Sequence, residues 1–554
     1  MNAMQVLSAV EMQACDRATT ERFGIPSLEL MRRAAVAVAA FARQQFPRAR
    51  RVTVLCGRGN NGGDGMMAAR LLAADGLDVT TLLLGEPGKL TGDALAAWGE
   101  LLASASPGKV HVVENAEELG RLDDALAADL IVDAVLGTGF RPPMKGLALA
   151  ALEWAKGSKA PVLAVDLPSG WPADETAASV NTPVFPADAV ITFTAPKPAH
   201  VFGAFTRHWW QPVVVAPIGS PEPAIISGLK IDWAGSALAF ARAPRPAAAH
   251  KGNFGHVLVV GGTMGSAGGK AGAPAMAALS ALRSGAGLVT AAVPAPALAV
   301  VSAIAPELMT WPLVAGPGGF ITSENLAPEF IAALMEGKTV LAIGPGLGQN
   351  PETAKFVAGL LSATKIPAVV DADALNILAA KPVLLAKLAK GRTLVLTPHP
   401  GEMARLLGIS TAHVQASRLQ EARAFARRVG VTLVLKGART IIAHPDGRVA
   451  VNTTGNPGMA KGGSGDVLTG LIAGLLAQHP AEPALAVEAA VYLHGLAADF
   501  AVRAGDEHTL LATDGIAQLS RAFRFHTSGQ NGYVWLQGMS ASPATSADSQ
   551  EAAK

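Results

Sequence analysis

Twice along this chain, short unbroken apolar runs alternate with Ala- and Leu-rich helical stretches, and most runs empty into a loop rich in Gly, Asn or Asp. A strand that is apolar on both faces must be covered on both sides, so the pattern predicts parallel sheets flanked by helices. The first series starts at Arg51 with VTVLC and continues through VTTLLLG, LIVDAVLG, PVLAVDLPSG, AVITFTAP and QPVVVAPIG. It closes near Ile218, which makes residues 1–218 one expected domain. Residues 219–249, rich in Pro, Ala and Ser, read as a junction that could hold a short helix. A second series runs from HVLVVGG through GLVTAAV, TVLAIGPGLG, PAVVDADALN, TLVLTPHPGE, VTLVLKGA and RVAVNTTG. It closes with helices expected over Asp466–Ala477 and Leu485–Ala504, giving a second α/β domain over 250–525. Residues 526–554, rich in Ser, Ala and Gln with no core pattern, are expected to be a disordered tail. A length of 554 residues suits two such domains, and 59 Gly with 37 Pro suit close-packed βα units with tight turns.

The charge balance, 45 basic against 43 acidic residues with no Lys/Arg block, gives no support for a nucleic-acid or anionic-membrane partner. The charge-free stretch from Ser284 to Pro306 is broken by Pro294 and Pro296, whereas a span needs ~20 continuous apolar residues. Cys15 and Cys56 are too few for a disulfide framework or a zinc site, and a reducing cytoplasm is expected. The first residues carry acids early and lack a basic-then-apolar segment, so no signal peptide is expected.

The stretch 461-KGGSGDVLTG-470 opens a helix with adjacent glycines. Converging backbone N–H groups and the positive end of a helix form an anion hole, and an aspartate there can act as general base toward a hydroxyl being phosphorylated. The plainer reading is a Gly-rich turn with Asp as a cap. Four other loops and a strand-end aspartate bear on the choice: 261-GGTMGSAGGKAGA-273, 344-GPGLG-348, 371-DADALN-376, 397-TPHPGE-402 and 436-KGART-440 all follow expected strands, where ligands bind in open α/β sheets. Singly, His399 could be a turn residue, Lys436 a snorkelling strand end and Asp371 a helix cap. Together they point to one large polar site.

These loops, with 250-HKGNFGHVLVVGG-262, 281-ALRSGAGLVT-290 and NTTGNPGMAKGGSGDVLTG, resemble in order the ADP/ATP-dependent NAD(P)H-hydrate dehydratase family of the ribokinase-like fold, over most of residues 226–525. The resemblance implies that Asp466 is catalytic. It implies that Lys436, Gly437, Ala438, Arg439, Thr440 and Gly465 line an adenine nucleotide, and that Ala273, Gly346, His399 and Asp466 meet the hydrated nicotinamide. ADP would be the phosphoryl donor, with Mg²⁺. Asn253, where the family often has Asp, and Lys461, where it has a small hydroxyl residue, depart from the pattern.

In the first domain, 57-GRGNNGGDG-65 follows a strand, opens a helix and contains Gly57-x-Gly59-x-x-Gly62, a literal dinucleotide fingerprint, with Glu86 where a ribose-binding acid would sit. An NAD-dependent dehydrogenase is a fair rival on that motif alone. Against it, two asparagines and an aspartate crowd a loop that needs bare backbone, and no histidine is placed for hydride chemistry. With 133-DAVLGTGFRPP-143 and 166-DLPSG-170, the loop resembles the NAD(P)H-hydrate epimerase family, a Rossmann-like three-layer sandwich, over residues 1 to about 218. That implies a hydrated-cofactor site formed by Asn60, Asn61, Gly62, Gly63, Asp64, Gly137, Thr138, Gly139, Phe140, Arg141, Pro142, Pro143 and Asp166, with Asp166 moving a proton during inversion. It also implies potassium held by Asn61, Asp133 and Ser169, whose oxygens suit a hard cation. The segment 28-LELMRRAA-35 departs from the family, which usually has an acid and a glycine after Leu-Met.

The joint expectation is a two-domain cytoplasmic enzyme that epimerises the (R)- and (S)-hydrates of NADH and NADPH, then dehydrates the S form to NAD(P)H, AMP and phosphate. It would take NADHX, NADPHX and ADP, bind no nucleic acid or membrane, and form a homo-oligomer. The alternatives are a vitamin-precursor or sugar kinase beside a dinucleotide-binding module, and a first domain that only binds.

Overall fold

The computed structural model of the protein describes residues 3–266, 268–529 and 531–539. They form two compact units. One comprises Met4–Leu229 with the described residues from Thr527 to 539, and the other Lys230–His526.

In the first unit seven strands, β1 (Arg51–Cys56), β2 (Asp78–Leu84), β3 (Lys109–Val113), β4 (Leu130–Ala134), β5 (Val162–Val165), β6 (Ala189–Phe193) and β7 (Val213–Ala216), pair in parallel in the order 3-2-1-4-5-6-7. This is a Rossmann-type order, and its direction reverses between β1 and β4, where a crevice opens beyond the strand ends. Helices α1 (Ala9–Glu21), α2 (Ser27–Gln45) and α3 (Asn60–Ala74) begin the helical layers. Apart from the edge strand β3, the strands are buried almost throughout, and Cys56 and Cys15 are buried thiols.

The chain's end corrects the expected tail. Val534–Gln537 forms an antiparallel strand on β7 and completes an eight-stranded sheet. Tyr533 and Trp535 are buried against Phe41 of α2, and the Tyr533 hydroxyl donates to the Ala37 carbonyl at 3.1 Å. The short apolar run YVWL is hidden by the Ser- and Gln-rich residues around it. The rest of the expected tail, 540–554, lies outside the described residues. Trp535→Ala should lower the stability of this unit by about 3 kcal/mol through the cavity it leaves. Denaturant unfolding would show it as a shift in the transition of the first unit, with that of the second unit unchanged from the wild type.

The junction also differs from expectation. Residues up to Leu229 pack on α1, with Ser227 Oγ donating to the Val6 carbonyl and the Gly228 N–H to Glu11. From Lys230 the chain belongs to the second unit, where β8 (Ile231–Trp233) is an edge strand. The short helix allowed for in the junction is Leu238–Ala241.

The second unit's main sheet has ten strands. In chain order after β8 come β9 (His256–Val260), the β10–β11 hairpin (Met264–Gly265 and Gly268–Gly269), β12 (Leu288–Pro294), β13 (Met309–Leu313), β14 (Val340–Ile343), β15 (Ala368–Val370), β16 (Leu394–Leu396), β17 (Thr432–Leu435), β18 (Ile441–Ala443) and β19 (Val449–Val451). The sheet order is 13-12-9-14-15-16-17-18-19-8, parallel from β13 to β17. The helix Ser464–Gln478 packs over β9, β14 and β15 and against the helix Gly272–Arg283. Gly470 makes that contact possible, since a Cβ there would lie 1.9 Å from the Ala277 carbonyl oxygen. The helix Pro483–Ala504 is long and apolar enough to cross a membrane by length and composition, but 83% of its most apolar window is buried inside the unit.

Candidate active sites

In the second unit, the Gly- and Asp-bearing loops leave β9, β14, β15, β16 and β17, which are neighbours in the sheet, so they form one continuous row at its carboxyl edge. Asp371, at the end of β15, makes no capping hydrogen bond. Its Oδ1 instead accepts from Lys436 Nζ at 2.7 Å and Thr397 Oγ1 at 2.7 Å, and its Oδ2 from Thr469 Oγ1 at 2.8 Å. Lys436 also lies 3.8 Å from Glu402 Oε2. Burial opposes a charge on Lys436, but Asp371 and Glu402 outweigh it and raise its pKa, so the lysine is held as an ammonium. It is no snorkelling strand end.

The helix carrying GGSGD begins at Ser464 with Gly463 as its cap at φ 96°, which places Asp466 in the first turn rather than at the cap. Burial first, and then the nearby Asp371, push the Asp466 carboxyl up to about 6, with Lys436 opposing. A Cβ on Gly465 would sit 3.5 Å from Lys436 Nζ and 3.7 Å from Asp371 Oδ2, so helix start, lysine and aspartates share one locus. An anion there would meet free N–H groups of the helix terminus with a base beside them.

Ala273 and Gly346 adjoin each other, since a Cβ on Gly346 would lie 3.3 Å from Ala273 Cβ. His399 caps the helix Pro400–Leu407, its Nδ1 accepting from Gly401 N at 3.0 Å, and it is half-exposed. Gly437 to Thr440 form a turn in which Arg439 takes φ 56° and donates to the Thr453 carbonyl. The two departures from the dehydratase pattern have structural explanations. Asn253 Oδ1 accepts from His250 N, closing a turn, and Lys461 Nζ donates to the His508 carbonyl. Thr397, Glu402 and Thr469 were not singled out from the sequence. Thr469 lies one helical turn beyond Asp466, a spacing that points to the same face.

In the first unit a cavity of about 970 Å³ lies at the crevice beyond β1, β4, β5 and β6. It is lined by Asn60, Asn61, Asp64, Gly137 to Phe140 and Asp166 of the expected residues, while Gly62, Gly63, Arg141, Pro142 and Pro143 are not among its lining. Two of the three fingerprint glycines serve packing here. A Cβ on Gly57 would lie 2.0 Å from the Val135 carbonyl oxygen, and one on Gly62 1.8 Å from that of Gly57. Glu86 is ion-paired with Lys89 at 2.6 Å.

Asp166 is held in a left-handed conformation at φ 65°. Its Oδ2 accepts from Thr138 N at 2.9 Å and from the Thr138 hydroxyl, and its Oδ1 from Thr192 Oγ1 at 2.9 Å and Lys197 Nζ at 2.8 Å. Burial alone would raise its pKa, but Lys197, His200 and these hydrogen bonds hold it well below the usual carboxylate range. His200 Nε2 donates to the Asp166 carbonyl at 2.8 Å while its Nδ1 accepts from Lys197 N at 2.9 Å, and burial with Lys197 lowers its pKa to about 4. Asp64 is pushed well above its usual range by burial, Asp166 and Asp16. Asp16, on α1, also lines the cavity. Lys197, Thr192 and Asp16 were not found from the sequence. Lys197 sits between two prolines just past β6, so the strand-end argument reaches it, whereas Asp16 precedes the first strand and that argument does not.

Asp133 is buried, with Ser169 Oγ at 2.6 Å and Ser169 N at 2.8 Å donating to it, and burial pushes it up to about 6 against those bonds. The buried side-chain amide of Asn61 has no hydrogen-bond partner among the described residues. The departing segment 28-LELMRRAA-35 spends its arginines on surface ion pairs, Arg32 with Glu100 at 2.6 Å and Arg33 with Glu29 at 3.0 Å.

Comparison with known proteins bears on both units. Residues 257–520 match the family model described as NAD(P)H-hydrate dehydratase, and residues 27–199 match that of the YjeF-related protein N-terminus. The bifunctional NAD(P)H-hydrate repair enzyme of Moorella thermoacetica is 41% identical over 523 residues, covering 92% of this chain and 95% of the relative. That of Escherichia coli strain K12 is 36% identical over 525 residues, covering 94% and 95%. A solved ADP/ATP-dependent NAD(P)H-hydrate dehydratase of Bacillus subtilis, co-crystallised with ATP and Mg²⁺, is 34% identical. It covers 52% of this chain and 96% of that one, with a TM-score of 0.44. Similar along nearly their whole length to relatives that bear one name, the chain belongs to the family of bifunctional NAD(P)H-hydrate repair enzymes.

Proposed function

We propose that this enzyme restores hydrated NADH and NADPH, its second unit dehydrating one epimer of the hydrate with ADP as phosphoryl donor and its first unit interconverting the two. The observation that supports the first half most is Asp466, a raised-pKa carboxylate in the first turn of a glycine-led helix, beside the buried Asp371–Lys436 pair.

The hydrate carries a hydroxyl on its reduced ring, and hydroxide is a poor leaving group. Asp466 takes the hydroxyl proton as the terminal phosphoryl group of ADP moves to that oxygen, releasing AMP. The N–H groups at Gly463 to Gly465 receive the phosphoryl charge. Phosphate then leaves, and loss of a proton from the neighbouring carbon restores the dihydronicotinamide. Lys436, Gly437, Ala438, Arg439, Thr440 and Gly465 are the proposed nucleotide wall, and Ala273, Gly346 and His399 the proposed contacts to the hydrate. Mg²⁺ bound with the nucleotide would neutralise its phosphates. The test is dihydronicotinamide absorbance on mixing hydrate, ADP and Mg²⁺ with the protein, with AMP and phosphate formed in equal amounts. Turnover of ATP with a pyrimidine or sugar alcohol, and none with the hydrate, would overturn the reading. Because Asp466 must be ionised to act as base, kcat/KM for dehydration should rise with pH through about 6 and level off above it.

In the first unit Asp166 is the proposed proton carrier for inversion. The proposed cradle, Asn61, Asp133 and Ser169, fits a hard monovalent cation, because the buried Asn61 oxygen lacks a partner and the remaining donors are oxygens. Potassium there would keep the buried Asp133 carboxylate ionised. A cytoplasmic location and self-association complete this reading.

A further inference from the structure

We infer that Asp16 is a catalytic residue of the epimerase site, the acid that works against the Asp166 base. The inference rests on the epimerase reading above.

Helix α1, which carries Asp16, is docked firmly on the loop that carries Lys197. Leu7 N donates to the Pro196 carbonyl at 2.9 Å, and Leu7, Met12 and Cys15 pack on Ala195 and Ala224. The helix start is fixed by Ser8 and Glu11, which cap each other, and Ala9 N donates to Asp174 at 2.7 Å. Asp16 therefore reaches the cavity from a rigid support. Its carboxylate lines the cavity and has no hydrogen-bond or ion-pair partner among the described residues. With no such partner, the carboxyl is left to meet whatever occupies the cavity.

The groups facing Asp16 are Lys197 and Asp166 from the loops after β6 and β5, and Asp64 from α3, with Cys15 beside it on α1. Arg33 of α2, which also packs on α1, is turned to Glu29 and the Ile218 carbonyl. Burial pushes Asp16 up to about 6, Lys197 opposing and Asp166 adding. The cavity thus holds carboxyl groups whose environments push their protonation apart, the pattern of an acid and a base. Asp64, pushed well above its usual range, suits a steady hydrogen-bond donor better than a group that must cycle.

The inverted carbon bears the hydroxyl and adjoins the ring nitrogen. Asp166 takes the hydroxyl proton, the C–O bond becomes C=O, and the C–N bond breaks with its electron pair going to nitrogen, which Asp16 protonates. After rotation, nitrogen attacks the other face of the carbonyl. Asp16 takes its proton back and Asp166 returns the other to oxygen, so atoms and charge balance with no co-reactant.

The experiment follows conversion of one purified epimer into the other with the full chain and no ADP, as a function of pH. Wild-type kcat/KM should fall as pH rises through about 6, the sign for an acid that must be protonated. Asp16→Asn, which mimics the neutral acid in shape, should lose on the order of 10²-fold in kcat with KM nearly unchanged, and its residual rate should lose that limb. A wild-type limb that is absent or rises with pH overturns the assignment whether or not the variant folds. An Asp16→Asn enzyme with wild-type kcat and the wild-type profile overturns it as well, leaving the epimerase reading standing. A wild-type chain that leaves the epimers at their spontaneous rate overturns both.

Discussion

Asp466→Asn should abolish ADP-dependent recovery of the dihydronicotinamide, with kcat down on the order of 10³- to 10⁴-fold, while epimer exchange continues at the wild-type rate. The substitution keeps shape and removes only the capacity to accept the hydroxyl proton, so KM for both substrates should change little. Asp466 makes no hydrogen bond that holds the fold, unlike Asp371, whose carboxylate binds Thr397, Lys436 and Thr469. Stability should therefore stay at or slightly above the wild type, because a partly buried carboxyl crowded by Asp371 becomes neutral. A loss of three decades is about 4 kcal/mol of transition-state stabilisation, within what a positioned base and the anion hole supply together. Initial rates of absorbance recovery measure it, and an Asp466→Asn chain above a tenth of wild-type kcat would remove Asp466 from the reaction.

Asp166→Asn should abolish epimerisation and leave dehydration of the S epimer untouched. This variant carries a second cost, because it leaves the buried Lys197 ammonium without its carboxylate partner. Breaking a buried pair from one side destabilises by about 3–5 kcal/mol, whereas replacing both partners is often neutral. The double variant Asp166→Asn/Lys197→Met should therefore regain much of the stability lost by the single one and none of the activity. Thermal unfolding beside epimer exchange separates the two effects. Activity returning with stability in the double variant would make Asp166 a structural residue.

Both sites were legible in the sequence for one physical reason. Parallel strands buried on both faces read as apolar runs, and each run ends where the sheet presents its ligand-binding edge. That argument reached Asp166, Asp371 and Lys436 without any contact being known, and it extends to Lys197, whereas GGSGD was marked by its adjacent glycines at a helix start. It did not reach Asp16 or Thr469, which lie on helices; Asp16 joins its site only through packing across a long sequence separation, whereas the helical spacing from Asp466 could have marked Thr469. β20, Val534–Gln537, was missed because a lone edge strand has no neighbouring repeat to mark it, and its surroundings match a tail in composition. β8 was missed in the same way, as three residues inside a Pro- and Ala-rich junction. The glycine fingerprint misled in the opposite sense. Gly57 and Gly62 satisfy close backbone packing, and that need supplies two of the three glycines of a dinucleotide motif.

The central claim is that one chain carries both activities on one substrate pool. An equilibrium mixture of the two hydrate epimers, mixed with the full chain, ADP and Mg²⁺, tests it directly through dihydronicotinamide absorbance. The account predicts recovery of the whole mixture, at a rate well above spontaneous epimerisation, with Asp166→Asn stopping at the S fraction. Recovery by the wild-type chain that halts at the S fraction, or that proceeds without ADP or ATP, would contradict it.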